Sequence, residues 1–145
     1  MKRITILIAD DNSFVRGVFR KILEREDDLE VVGEAKNGHE AVALVKKLRP
    51  ALVLMDIAMP LLDGLQATRQ IRKAALATKV LMISVRSDDV YVEAATNSGA
   101  MGYLIKQSSA DSVCHAIREV QKGNKFFSPS IPNRLHKRNR EKQMD

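Results

Sequence analysis

Apolar residues along this chain fall into two alternating rhythms. Ile4 to Ala9 is an unbroken apolar run apart from Thr5, Leu52 to Met55 is a second, and Val80 to Ile83 is a third. Short solid runs of this kind predict strands buried on both faces, the habit of parallel sheets covered by helices. The stretch 29–35 is mixed, with Glu30 and Glu34 among its valines. Its carboxylates need water, which predicts a strand at a sheet edge. A short fifth run, 102–105, leads into Lys106. Helical spacing fills the gaps between the runs. In 14–26, Val15, Phe19 and Ile22 mark one face, and Phe14 and Val18 widen it. Ala41, Leu44, Val45 and Leu48 recur at i, i+3, i+4 and i+7 until Pro50 closes the pattern. In 65–75, Leu65, Thr68, Ile71 and Arg72 share a side. In 88–98 the stripe is thin, Val90 with Ala94 and Ala95, which predicts a helix able to shift or to meet a partner. Ser108 or Ser109 caps a last helix whose stripe is Val113, Ala116, Ile117 and Val120, and Gly123 ends it.

Five strands alternating with five helices make an α/β protein: an open, doubly wound parallel sheet with right-handed crossovers. The three solid runs belong at the centre and the mixed second and short fifth at the edges. Strand order 2-1-3-4-5, the flavodoxin-like arrangement, does this. Residues 1–123 form the folded domain in this reading. Residues 124–145 hold few apolar positions and read as a basic linker or tail, with a short helix near 132–142.

Charge sharpens that division. The chain of 145 residues carries a net +6, yet 6 of its 24 cations and only 2 of its 18 anions fall in 124–145. The domain itself is left at +2, so the basic character is a property of the tail and not of a folded face. Direct DNA binding by these residues is not expected. No apolar run approaches the roughly 18 residues of a membrane span, and the start of the chain does not read as a signal peptide. Cys114 is the one cysteine. It fits a reducing cytoplasm and a small packed residue.

Ligands of such sheets bind beyond the carboxyl ends of the strands. Those ends carry Asp10 and Asp11, Asp56, Ser84 and Lys106. Each alone reads as a turn, a cap or a solvated side chain. Jointly they put three carboxylates, a hydroxyl and an ammonium at one end of the domain. Two unit charges at about 4 Å repel by roughly 4 kcal/mol at an effective dielectric near 20, so the carboxylates must take up protons or recruit a cation. With oxygen ligands only, that cation is hard. Mg2+ fits, with Mn2+ as a substitute, through one or two carboxylates, a backbone carbonyl and waters. Asp56, once neutralised, can attack phosphorus and become an aspartyl phosphate, with Lys106 and Ser84 on the phosphoryl oxygens.

These residues resemble the receiver domain of bacterial two-component response regulators. The likeness covers residues 1 to about 123 and rests on Asp10-Asp11, the block from Met55 through Asp56, Met59-Pro60 and Asp63-Gly64, then Ser84, Tyr103 and Lys106. It implies phosphorylation of Asp56 by a histidine kinase, with Mg2+ held by Asp10, Asp11, Asp56 and the carbonyl of Ala58. It implies that Ser84 moves toward the phosphoryl group while Tyr103 turns inward, remodelling the surface of the fourth helix, fifth strand and fifth helix. Gln107 follows Lys106 where many receivers have Pro, and Val85 follows Ser84 where a small residue is usual. The stretch 102–109, and Gly123 with Phe126-Phe127-Ser128-Pro129, look like the LuxR/NarL-type subfamily. That implies a cytoplasmic regulator that dimerises on phosphorylation and meets DNA through a helix-turn-helix domain absent from this chain. A stand-alone receiver working by protein contact or phosphorelay is the alternative. Turnover of a free phosphate ester is not expected, because the position two residues after Asp56, where such an enzyme keeps its general acid, is Ala58.

Overall fold

The computed structural model describes residues 2–129 and Ile131. Its elements are β1 (Ile4–Ala9), α1 (Ser13–Glu24), β2 (Leu29–Ala35), α2 (Gly38–Leu48), β3 (Leu52–Asp56), α3 (Gly64–Ala74), β4 (Lys79–Ser84), α4 (Asp89–Asn97), β5 (Gly102–Ile105), α5 (Ala110–Gln121) and β6 (Phe126–Phe127). All pairings are parallel, in the order β2-β1-β3-β4-β5-β6. The expected flavodoxin-like order of the first five strands is what folds.

Strand alternation sorts the apolar runs into two cores. Leu7, Ala9, Val53, Met55, Val80, Met82 and Tyr103 face α2, α3 and α4. Ile6, Ile8, Leu52, Leu54, Leu81, Ile83 and Leu104 face α1 and α5. Consecutive residues in the middle of each run are buried because helices cover both faces of the sheet. Caps fix where the helices begin. The Asn12 side chain accepts from the amides of Phe14 and Val15, Asn37 from Glu40, Asp63 from Gln66 and Ser109 from Ser112. Gly123 takes a positive φ of 98° just past α5. Among the described residues, no helix is long and apolar enough to cross a membrane.

Several expectations are corrected. Among the described residues the strands number six, and β5 is not at the edge. Gly102 and Tyr103 pair with Phe126 and Phe127. The Ser128 amide donates to the Tyr103 carbonyl at 3.0 Å, and the Ile105 amide donates to Ser128 Oγ at 2.9 Å. Ile131 is buried in the core with Val92 and Tyr103. Two phenylalanines and one isoleucine are therefore enough to carry the folded body past Gly123. The helix expected near 132–142 lies outside the described residues. In α1, Phe14 and Val18 do not widen the buried face. They are 78% and 41% exposed, and Leu23 is buried instead. Leu48 of α2 is partly exposed. In α4, Val90 points to solvent, while Val92 and Ala95 pack inward. Arg72 of α3 is only half-buried and donates to the Leu76 and Thr78 carbonyls. Glu34 of the edge strand is held by Arg20 at 2.8 Å and Arg16 at 3.0 Å, both from α1; Arg20 first, then Arg16, pulls its carboxyl below the ordinary value against the opposing effect of burial.

Candidate functional site

The carboxyl ends of β1, β3, β4 and β5 open into a cavity of about 440 Å3. Its walls include Asp10, Asp11, Asp56, Ala58, Ser84 and Lys106. Register explains the meeting. β1 pairs with β3 through Ala9 and Met55, β3 with β4 through Asp56 and Ile83, and β4 with β5 through Ser84 and Ile105. Each strand thus delivers the polar residue at its carboxyl end at nearly the same level.

Asp10 and Asp56 are buried, and Asp11 is exposed. One carboxylate oxygen from each lies within 4.8 Å of the others. Lys106 Nζ stands 2.9 Å from Asp10 Oδ2 and 3.3 Å from Asp56 Oδ2. Burial disfavours the Lys106 ammonium, but the two carboxylates outweigh it and hold its pKa above the ordinary value. Asp56 is pushed up to about 6, first by burial and then by the neighbouring Asp10 charge, with Lys106 opposing. One cation cannot balance three carboxylates. Asp10 Oδ1 accepts from the Asn12 amide at 2.9 Å, whereas the buried Oδ2 faces the lysine without a well-directed hydrogen bond. An all-oxygen donor set with excess negative charge fits a hard divalent cation. Ala58 sits exposed on the rim, and its amide reaches Asp56 Oδ1 at 3.4 Å.

Close packing fixes the Asp56 loop. A Cβ on Gly64 would lie 2.2 Å from the Asp56 carbonyl, and one on Gly38 would lie 2.0 Å from the Leu62 carbonyl. Between them the Leu62 amide donates to Pro60, which turns Leu61 into the left-handed region at φ 68°.

Ser84 and Tyr103 meet through a residue that the sequence did not single out. Ser84 Oγ accepts from the Arg86 amide at 3.0 Å, and the Tyr103 hydroxyl donates to the Arg86 carbonyl at 2.5 Å. Tyr103 is fully buried, and burial raises its pKa. Arg86 also lines the cavity, with its guanidinium over the Tyr91 ring at 4.8 Å and on Asp88 at 2.9 Å. Val85 is 60% exposed at the cavity wall and does not close it. The only early signal for Arg86 was its place two residues beyond Ser84.

A family model described as the response regulator receiver domain matches residues 6–118. The transcriptional regulatory protein DegU of Brevibacillus brevis is 37% identical over 135 residues, which is 93% of this chain and 57% of DegU. The chain therefore spans little more than half the length of that relative. The receiver domain of the response regulator NarL from Mycobacterium tuberculosis, itself described as putative, superposes with a TM-score of 0.83 at 31% identity, over 86% of this chain and all of that one. A LuxR-family two-component response regulator from Aurantimonas sp. SI85-9A1 gives 0.85 at 28% identity, over 99% and 100%.

Proposed function

The chain belongs to the response regulator receiver family, and from that premise we propose that a histidine kinase phosphorylates it on Asp56 and that the change is relayed to a DNA-binding output. The observation that carries this proposal is the placement of Asp56 at the end of a central strand, facing Lys106 and beside Asp10 and Asp11 in one cavity. A carboxylate oxygen of Asp56 forms the new bond to phosphorus as the phosphorus–nitrogen bond of the donor phosphohistidine breaks. Lys106 keeps its proton and places a point charge on the incoming phosphoryl oxygens. Ser84 turns its hydroxyl to the same group.

Asp10, Asp11, Asp56 and the Ala58 carbonyl would hold Mg2+ or, in its place, Mn2+. Bound there, the ion supplies charge neutralisation for the attacking carboxylate and the phosphoryl oxygens. Ala58 has no proton to give, so the residues favour holding the phosphoryl group over turning over a free substrate.

Readout runs through Arg86. Ser84 grips its amide and Tyr103 its carbonyl, so a movement of Ser84 toward a phosphoryl group pulls on the hydrogen bond of Tyr103. Tyr103 belongs to the β5–β6 seam and shares a core with Val92 and Ala95 of α4. The likeness to LuxR- and NarL-type regulators supports a DNA-binding output outside this chain; in this reading the chain works in the cytoplasm, away from the membrane, and pairs with a second copy on phosphorylation.

Thermal melting tests the site. Mg2+ with beryllofluoride, which mimics a phosphoryl group, should raise the melting temperature of the wild-type chain by ligand linkage and leave Asp56→Asn unmoved. No shift in the wild type, or an equal shift in the variant, would overturn the assignment.

A further inference from the structure

Arg16 lies outside the acidic cluster, yet it holds the peptide that joins two of the carboxylates. Its Nη1 donates to the main-chain carbonyl of Asp10 at 2.6 Å, while its Nε donates to Glu34 Oε1 at 3.0 Å. Glu34 is fixed from its other oxygen by Arg20 at 2.8 Å, and Arg20 also bonds Glu24. The Arg16 side chain is 16% exposed, so this is a built network and not a surface pair.

Asp10 is held on every other side. Its amide donates to the Ala35 carbonyl at 3.0 Å, and its Oδ1 accepts from the Asn12 amide. The residue is 1% exposed, so a side chain of similar length without donors at position 16 would leave its carbonyl covered and unpartnered. A buried carbonyl left without a donor reorients to find one. Rotating that peptide plane re-aims the next residue, Asp11. Asp11 is exposed, and among the described residues no hydrogen bond or ion pair holds its carboxylate. The backbone alone therefore sets where its Cα–Cβ bond points, and with it the positions its carboxylate can reach.

We infer that Arg16, braced by Glu34, is a positioning residue that locks the Asp10–Asp11 peptide and so aims Asp11 at the divalent-cation site. This rests on the metal assignment proposed above. Electrostatics alone argues the other way: deleting a cation near a cation site should tighten metal binding or leave it unchanged. The two accounts therefore differ in sign.

Calorimetric Mg2+ titration of the full chain decides between them. Arg16→Met, which keeps the length and drops the donors, should bind Mg2+ roughly 10-fold more weakly, the usual scale for losing a group that orients a metal ligand. Arg16→Lys, which can still donate to the carbonyl, should recover most of the affinity. In an Asp11→Asn background, Arg16→Met should cost little more. Melting curves of the metal-free variants establish that each is folded. Unchanged or tighter binding by Arg16→Met, or an equal loss with and without Asp11, would overturn the proposal. If Arg16→Met does not fold, failure of the folded Arg16→Lys to exceed Asp11→Asn in affinity would overturn it as well. Failure of the wild type to bind Mg2+ would strike instead at the metal assignment itself.

Discussion

In the metal-free chain Asp56 is buried beside Asp10, and both effects favour its protonated form, so that its pKa rises from 3.8 to about 6. Between those values the native chain binds more protons than the unfolded one, and stability falls as pH rises. The contribution is fully present below about pH 4 and is lost by the time pH has passed 6. Asparagine imitates the neutral acid. Asp56→Asn should therefore match the wild type near pH 4 and be more stable at pH 7, by on the order of 3 kcal/mol. Urea unfolding of both proteins across this range, without metal, checks it. A constant difference at all pH values would mean that ionisation of Asp56 is not its source. At this scale the sequence was most informative. Asp10, Asp11, Asp56, Ser84 and Lys106 were legible because each ends a strand, and strand ends converge by topology. Arg16 and Arg86 were not, because their roles run through main-chain carbonyls, and no residue pattern announces which carbonyl a guanidinium will find.

Helices and strands show the same contrast between pattern and partner. The α5 stripe of Val113, Ala116, Ile117 and Val120 is buried as its spacing predicts. Phe14 and Val18 carry an equally apolar signal and lie exposed, because periodicity reports which side a residue is on and not whether a neighbour covers it. Strand β6 was missed for a related reason: two residues cannot show a period. Its seat is nevertheless specific, since a Cβ on Gly102 would lie 2.3 Å from the Phe126 carbonyl. Gly102→Ala should displace β6 and destabilise the chain by about 1–3 kcal/mol, with faster proteolysis around Phe126–Phe127. Gly17 sits in α1 with nothing within 4 Å of where its Cβ would be. Gly17→Ala should stabilise by up to about 1 kcal/mol, the difference in helix propensity. Denaturant unfolding of the two variants should move in opposite directions. A loss at Gly17 or none at Gly102 would contradict the packing described.

Across the whole molecule, the two cores make a rigid frame and leave one polar end where the strands stop. That frame gathers three carboxylates, two of them on Lys106, an arrangement out of charge balance that the proposed cation would complete. The β5–β6 seam extends the frame beyond the region matched by the family model, and it ties Ser128 to both Tyr103 and Ile105, beside Lys106. In the proposed function Asp56 takes a phosphoryl group and keeps it. Intact-mass measurement of the chain incubated with a small phosphodonor tests this most directly, with and without Mg2+, beside Asp56→Asn. The wild type should gain one phosphoryl group only when Mg2+ is present, and the variant none. An equal gain in the variant, or a wild-type gain indifferent to Mg2+, would contradict the account.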